Sequence, residues 1–391
     1  MSEGNMSDRK LKFGMVGGGD GAFIGDIHRR AAEFDGLGTL TAGCFSRDFE
    51  KSLAYGEAHG LSSDRIYHSF EEMAEAESRR PDPIDFVIVA VPNHVHYECC
   101  KAFLQRGIHV ACDKPLTHTS QQAEELKELA ERAGLLFAVT YPYAAMPGAA
   151  FIRSRIEAGD IGEILLIKAE YLSDNLLAPN EKLGSGMLWR IDPEKAGPST
   201  CCADIGVHAQ NLISSVTGLK MKELSADMNV IGEDRTLDTN FTATVRYENG
   251  VKGHIWCSNI AAGKYNDLSI EVYGTKGSLA WSLEEPDFVT FGGVPGQTVK
   301  YRMGRTSDSA EDAEMFRLPA GQGEGYYLAF ANVYRAFMTE LQRKKEGQPL
   351  QKGQSSRKGY PDIDEGIESL KFVEACIASS ERNGEWTVVE R

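Results

Sequence analysis

Long hydrophobic runs are missing from this 391-residue chain, and so is any excess of positive charge. No apolar stretch approaches the ~20 residues that cross a bilayer as a helix. Lys and Arg number 42 against 57 Asp and Glu, a formal charge of −15. That balance excludes the basic surface needed for nonspecific nucleic-acid binding or for an anionic membrane, so neither partner is expected. The eight cysteines include the adjacent pairs Cys99-Cys100 and Cys201-Cys202, with no C-x-x-C and no zinc-like Cys/His spacing. Reduced thiols and no metal site follow as expectations. Residues 1–10 are polar and lack the apolar core of a secretory signal, which predicts a cytoplasmic protein. Internal repeats and low-complexity tracts are also absent. The length predicts two domains, each with its own core.

What is present begins at residues 11–25, LKFGMVGGGDGAFIG. A short apolar run ends in clustered glycines, and a helix-compatible segment follows at about 26–34. Strand, glycine turn and helix is the layout that holds a dinucleotide pyrophosphate on the first free N–H groups of the helix. Gly17-x-Gly19-x-x-Ala22 fits the fingerprint spacing, with Gly25 as an alternative last member. The pyrophosphate is expected over residues 19–24, so Gly17, Gly19, Asp20, Ala22, Phe23 and Ile24 are candidate cofactor contacts.

A second strand is predicted at residues 39–45, with Ser46-Arg47-Asp48 at its tip and a helix at 49–59. In this kind of unit that tip meets the adenosine ribose. Ser46 and Arg47 suit a 2′-phosphate, and Asp48 suits a ribose hydroxyl, so NAD and NADP both stay open. Residues 84–92 (IDFVIVAVP) give the strongest strand signal, a run buried on both faces, and they lead into Pro92-Asn93-His94-Val95-His96 at the start of another helix. The next strand, 108–112, delivers Asp113-Lys114-Pro115 to the crevice at the strand ends. A helix at 120–133 and a strand at 135–140 complete a doubly wound parallel sheet, closing a first domain at residues 1–142.

Residues 143–391 change character. A helix at 149–158 precedes predicted strands at 164–172, 223–230, 240–247, 252–258, 268–273, 277–282 and 288–291, several with period-two alternation. A large, mostly antiparallel sheet with one face on helices is expected. Residues 292–322 read as irregular, 326–345 as a helix, 346–362 as a loop and 364–382 as a final helix.

A helix at about 202–216 would carry Asp204 and His208 on one face at i and i+4, with Asn211 continuing it at i+7. A carboxylate, an imidazole and an amide on one face suit a polyol, with His208 as general base; an exposed ion pair is the plainer alternative. Gly206 in a helix costs stability unless something approaches closely.

Taken in order, the glycine turn, Val91-Pro92-Asn93-His94-Val95-His96, Cys112-Asp113-Lys114-Pro115-Leu116, Trp189-Arg190 and Asp204-x-Gly206-x-His208 resemble the Gfo/Idh/MocA family of sugar and inositol dehydrogenases. The resemblance implies an N-terminal Rossmann domain, a C-terminal α/β domain with an open sheet, NAD or NADP as cofactor, and association into homodimers or homotetramers. It implies that Lys114 contacts substrate and nicotinamide, that His208 is the acid/base, and that Asp204 binds substrate hydroxyls or orients the base. Pro92, Asn93, His96, Asp113, Trp189 and Arg190 would lie on the cofactor side. Tyr141, Tyr143, Asp174, Asn175 and Asn211 are candidates for the substrate pocket. The reaction implied is oxidation of a secondary hydroxyl of a cyclic polyol, whether inositol, hexose or glycoside, or the reverse. Two variants accompany it: a tightly held cofactor recycled through a second keto-sugar, and a non-catalytic dinucleotide sensor.

Overall fold

The computed structural model describes residues 10–304, 315–350 and 359–390. Nine of the ten opening residues, and the parts of the expected segments 292–322 and 346–362 that fall at 305–314 and 351–358, lie outside the described residues.

The first layer is a five-stranded parallel sheet in the order β2-β1-β3-β4-β5. Its strands are β1 (Leu11–Gly17), β2 (Gly38–Cys44), β3 (Phe86–Ala90), β4 (His109–Cys112) and β5 (Phe137–Val139). All five residues of β3 are buried, as a central parallel strand covered on both faces requires. The order reverses between β1 and β3, and a crevice opens beyond their carboxyl ends. On the outer edge of β2, Ile66 makes a single parallel bridge to Gly43, so one residue occupies a strand's place.

The helices α1 (Phe23–Glu33), α2 (Phe49–Ala58), α3 (Phe70–Arg79), α4 (Asn93–Leu104) and α5 (Ser120–Ala133) connect these strands. Thr119 caps α5 by accepting the Gln122 N–H, and Gly134 ends it in a left-handed turn, so its predicted limits hold. The sequence carries no clear signal for α3. Its buried face is only Met73, Ala74 and Glu77, too sparse for a clear apolar period, and Ser69 supplies the cap.

The second layer is a nine-stranded sheet ordered β13-β12-β11-β10-β6-β9-β8-β7-β14. Its members are β6 (Ile164–Leu172), β7 (Met221–Asn229), β8 (Asn240–Tyr247), β9 (Lys252–Ser258), β10 (Asp267–Gly274), β11 (Gly277–Ser282), β12 (Phe288–Gly293), β13 (Gln297–Arg302) and β14 (Thr387–Val388). Only β6 and β9 pair in parallel. Alternate residues, among them Ile167, Ala169, Phe241, Val245, Ile255, Ile270 and Leu279, are buried under α6 (Pro147–Glu157), α7 (Val207–Thr217) and the C-terminal helix Ile363–Glu381. The other face carries Lys168, Glu170, Thr244, Arg246, His254 and Glu271, partly or fully exposed.

Two expectations change here. Residues 292–322 are not wholly irregular: β13 pairs antiparallel with β12 across Val294-Pro295-Gly296. It is a polar edge strand, QTVKYR, with no buried residue to betray it. The helix expected at 202–216 begins as a π-helix, Cys202–Gly206, before α7 continues to Thr217. The long helix Tyr326–Lys345 packs back against α1, placing Phe330, Tyr334 and Phe337 in one core with Phe13 and Phe86 of the first sheet. No described helix is long and apolar enough to cross a membrane.

Candidate active site

The glycine turn starts where β1 ends. Gly17 and Gly18 have φ of +79° and +70°, which only glycine adopts without strain. A Cβ on Gly25 would stand 2.1 Å from the Gly18 Cα, so helix and turn touch backbone to backbone. That contact makes Gly25 the close-packing glycine, while Ala22 is the N-cap of α1 and offers no side-chain cap. The uncapped amides and the positive end of the helix dipole therefore remain for an anion. Gly17, Gly19, Asp20, Ala22, Phe23 and Ile24 all line the cleft above the turn, which fits a dinucleotide pyrophosphate.

The cleft, about 1900 Å³, continues from this turn to the second sheet. On its floor Lys114 Nζ donates to Asp204 Oδ1 at 2.6 Å and to the Asp204 backbone oxygen at 2.7 Å. Arg190 Nε stands 3.3 Å from the other carboxylate oxygen, with its guanidinium 4.6 Å from the Trp189 ring centre. Burial alone would raise the Asp204 pKa, but Lys114 and Arg190 overcome it and hold the carboxyl well below its usual range. His208 is packed edge-on to Tyr143, ring centres 4.8 Å apart, and its Nδ1 is buried without a hydrogen-bond partner. Burial, and then the Lys114 charge, push its pKa well below 6.5. The imidazole is thus neutral and able to accept a proton.

Asp113 anchors the lysine from behind. Its Oδ1 accepts the Lys114 N–H at 2.8 Å and the Thr140 hydroxyl at 3.1 Å. His28 of α1, fully buried, places Nε2 3.7 Å from Asp113 Oδ2, an ion-pair rather than a hydrogen-bond distance, while its Nδ1 meets the Tyr334 hydroxyl at 2.6 Å. Burial raises the Asp113 pKa, and His28, Lys114 and His96 together drive it far lower.

Several predicted site residues line the cleft: Ser46, Arg47, Pro92, Asn93, Asp113, Lys114, Tyr143, Asn175, Trp189, Arg190, Asp204 and His208. Four do not. His96 is buried, its two ring nitrogens each 2.8 Å from a carbonyl oxygen, of Pro115 and Val91, so it braces the two loops rather than meeting a ligand. Tyr141 is buried behind the wall. Asp174 is held at the turn by the Gly263 N–H at 3.3 Å. Asn211 is buried in a helix whose residues 207–216 are all buried, and it does not reach the cleft wall. Two assigned reasons also change. Asp204 makes its bonds to Lys114 and Arg190, with none to the His208 ring. The close neighbour at Gly206 is the Phe241 ring, 2.6 Å from where a Cβ would stand.

Sequence reading missed Tyr171 and Tyr326, which complete the wall around His208. Tyr171 shares a 2.9 Å hydroxyl contact with Tyr143 and donates to Asn266 at 3.1 Å, and Tyr326 lies 6.0 Å from Tyr143 between ring centres. Tyr171 sits near the end of β6, three residues before Asp174; that position was its only signal. Among the described residues no group of three or more His, Cys, Asp or Glu is arranged to hold a metal.

A parallel sheet with a glycine cradle at its switch point, opening onto a Lys–Asp–His cluster, defines a dinucleotide-dependent oxidoreductase. Residues 11–141 match the oxidoreductase family with an NAD-binding Rossmann fold, and residues 150–280 match the Gfo/Idh/MocA C-terminal domain. The chain belongs to the Gfo/Idh/MocA family. It is 34% identical over 385 residues to the uncharacterized oxidoreductase YfiI of Bacillus subtilis, covering 97% of this chain and 96% of that one. It is 27% identical to levoglucosan dehydrogenase of Pseudarthrobacter phenanthrenivorans, across 71% of this chain and 75% of that protein. The crystal structure of an inositol dehydrogenase homolog from Azotobacter vinelandii, complexed with NAD+, superposes with a TM-score of 0.92 at 32% identity, covering 98% and 99% of the two chains.

Proposed function

We propose that this protein is a nicotinamide-dependent dehydrogenase that oxidises a secondary hydroxyl of a cyclic polyol, an inositol, a hexose or the sugar of a glycoside, and runs the reverse reduction. The observation that carries this reading is the Lys114–Asp204 pair beside a neutral His208, on the wall of the cleft that opens from the glycine turn. The cofactor, when bound, supplies the acceptor for the hydride. Functionally we divide the chain at residue 142, with the cradle before it and the polyol pocket after it.

This chain's residues do the rest. His208 takes the hydroxyl proton as the C–H bond is broken. Lys114, kept in place by Asp204 in front and by Asp113 behind, sets its positive charge where the alkoxide develops. Arg190 shares Asp204, so the carboxylate stays ionised when Lys114 turns toward substrate. Tyr143, Tyr171 and Tyr326 present ring faces and hydroxyls, a surface suited to a sugar ring, and Asn175 adds an amide. Leu166 and Tyr273, exposed and paired across β6 and β10, support the reading that the open sheet face meets a second copy in a homo-oligomer.

The test is a panel of inositols, hexoses and glycosides, followed at the nicotinamide absorbance with NAD and with NADP, and accompanied by a product assay. Turnover of a ring polyol that vanishes in both Lys114→Ala and His208→Ala is expected. Full turnover in either variant would overturn the assigned roles.

A further inference from the structure

Positive charge gathers at the adenosine end of the cleft, in a chain whose net charge is −15. Arg47 stands exposed just past β2 on the cleft wall, with no hydrogen bond or ion pair among the described residues. Lys51, near the start of α2, lines the same wall. Across the cleft, His94 opens α4 in a positive field: burial first, then the charges of His118, Arg47 and Lys195, lower its proton affinity.

The nearest carboxylate is already committed. Asp48 caps α2, accepting the Lys51 N–H at 3.4 Å through Oδ1, with Oδ2 3.8 Å from Lys51 Nζ, and it is not part of the cleft wall. Ser46 accepts the Asp48 N–H at 3.1 Å, which leaves its hydroxyl proton to donate. Glu71, the acid that lines this end, stands beside Cys44, whose thiol is pushed up to about 11 by burial and by Glu71 and Glu72. A dinucleotide with a bare ribose diol is held at this tip by a carboxylate; a guanidinium here matches a phosphate instead.

We propose that Arg47, Ser46 and Lys51 form a seat for a phosphomonoester on the adenosine ribose, so that the protein takes NADP(H) in preference to NAD(H). The proposal rests on the reading of the cleft as a dinucleotide site. The guanidinium grips two phosphate oxygens, the Ser46 hydroxyl donates to the third, and Lys51 adds charge from α2.

The experiment is a fluorescence titration of the full chain with NADPH and with NADH, without substrate, backed by competition with 2′,5′-ADP and 5′-AMP. NADPH is expected to bind at least about tenfold tighter, the worth of one charge-assisted hydrogen bond. The advantage shrinks as salt is raised, because the seat is exposed. Arg47→Ala removes most of it by weakening NADPH far more than NADH, with the melting temperature unchanged. Equal or tighter binding of NADH by the unaltered protein overturns the proposal, as does an Arg47→Ala variant that keeps NADPH affinity. Failure to bind either nucleotide would instead remove the dinucleotide reading itself, and this proposal with it.

Discussion

Lys114 is fastened to Asp204 through both the side-chain carboxylate and the backbone oxygen, across 90 residues of sequence. These two hydrogen bonds aim the amine along one line and tie the lysine loop to the π-helix. Lys114→Ala is expected to lower kcat by about 10²–10⁴-fold, the usual range for a group that acts on the transferring proton or its charge. It also leaves Asp204 buried with only Arg190, at a cost of about 1–3 kcal/mol in stability, readable as a lower urea midpoint. A variant with wild-type kcat would show that the lysine serves packing alone.

His208 predicts an unusual acid limb. Its folded pKa lies well below 6.5, with burial as the larger cause and Lys114 the next. The general base therefore stays unprotonated into mildly acidic solution, and kcat/KM should begin to fall only below the ordinary imidazole range. The same shift affects stability. The unfolded chain binds the proton first, so the contribution of neutral His208 is complete above about pH 6.5 and is lost as pH falls below it. A pH–rate profile bending at 6.5 or above, or one that His208→Gln leaves unchanged, would refute the assignment.

Asp113 should make acid stability visible in one substitution. Its folded pKa lies far below its ordinary value, so its contribution is present above about pH 4 and is lost as pH falls toward the folded value. Asn at this position keeps an oxygen for the Lys114 N–H and the Thr140 hydroxyl but carries no charge. In Asp113→Asn, urea midpoints measured from neutral pH down to pH 3 should decline less steeply than in the parent protein. Parallel curves would mean that the charge plays no part.

Much of this was legible in the sequence where a local pattern and a buried element coincide. The near-continuous apolar run at 84–92 signals a strand buried on both faces, realised as Phe86–Ala90, and Asp113-Lys114-Pro115 follows the end of the next strand. Alternation placed the middle strands of the second sheet to within a residue or two. Misreadings came where tertiary context overrides local pattern. An i, i+4, i+7 spacing marks one face of a helix but not whether that face opens on a cleft, and the helix that carries Asn211 is buried on every side from 207 to 216. His96 resembled a ligand because its motif lies at a crevice, whereas the carbonyls that hold it come from Val91 and Pro115, 5 and 19 residues away. Tyr326 opens a helix of the C-terminal third that packs on the first sheet, and nothing near it in sequence names Tyr143 as its neighbour.

Gly25 offers the sharpest test of the cradle, because its role is steric and local. In Gly25→Ala the new methyl would fall 2.1 Å from the Gly18 Cα, inside backbone that cannot yield without moving the turn. Gly21 is the matched control: its φ is +76°, but a Cβ there meets nothing within 4 Å. Gly21→Ala should therefore cost only the backbone strain, about 1 kcal/mol, and keep its nucleotide. Gly25→Ala should lose nucleotide fluorescence enhancement at concentrations that saturate the parent, even where its far-ultraviolet dichroism shows the sheet intact. The contrast matters more than either value. If both alanines bound alike, the close approach of α1 to the turn would not be what shapes the anion site, and the uncapped helix amides would have to be positioned by something other than Gly18 and Gly25.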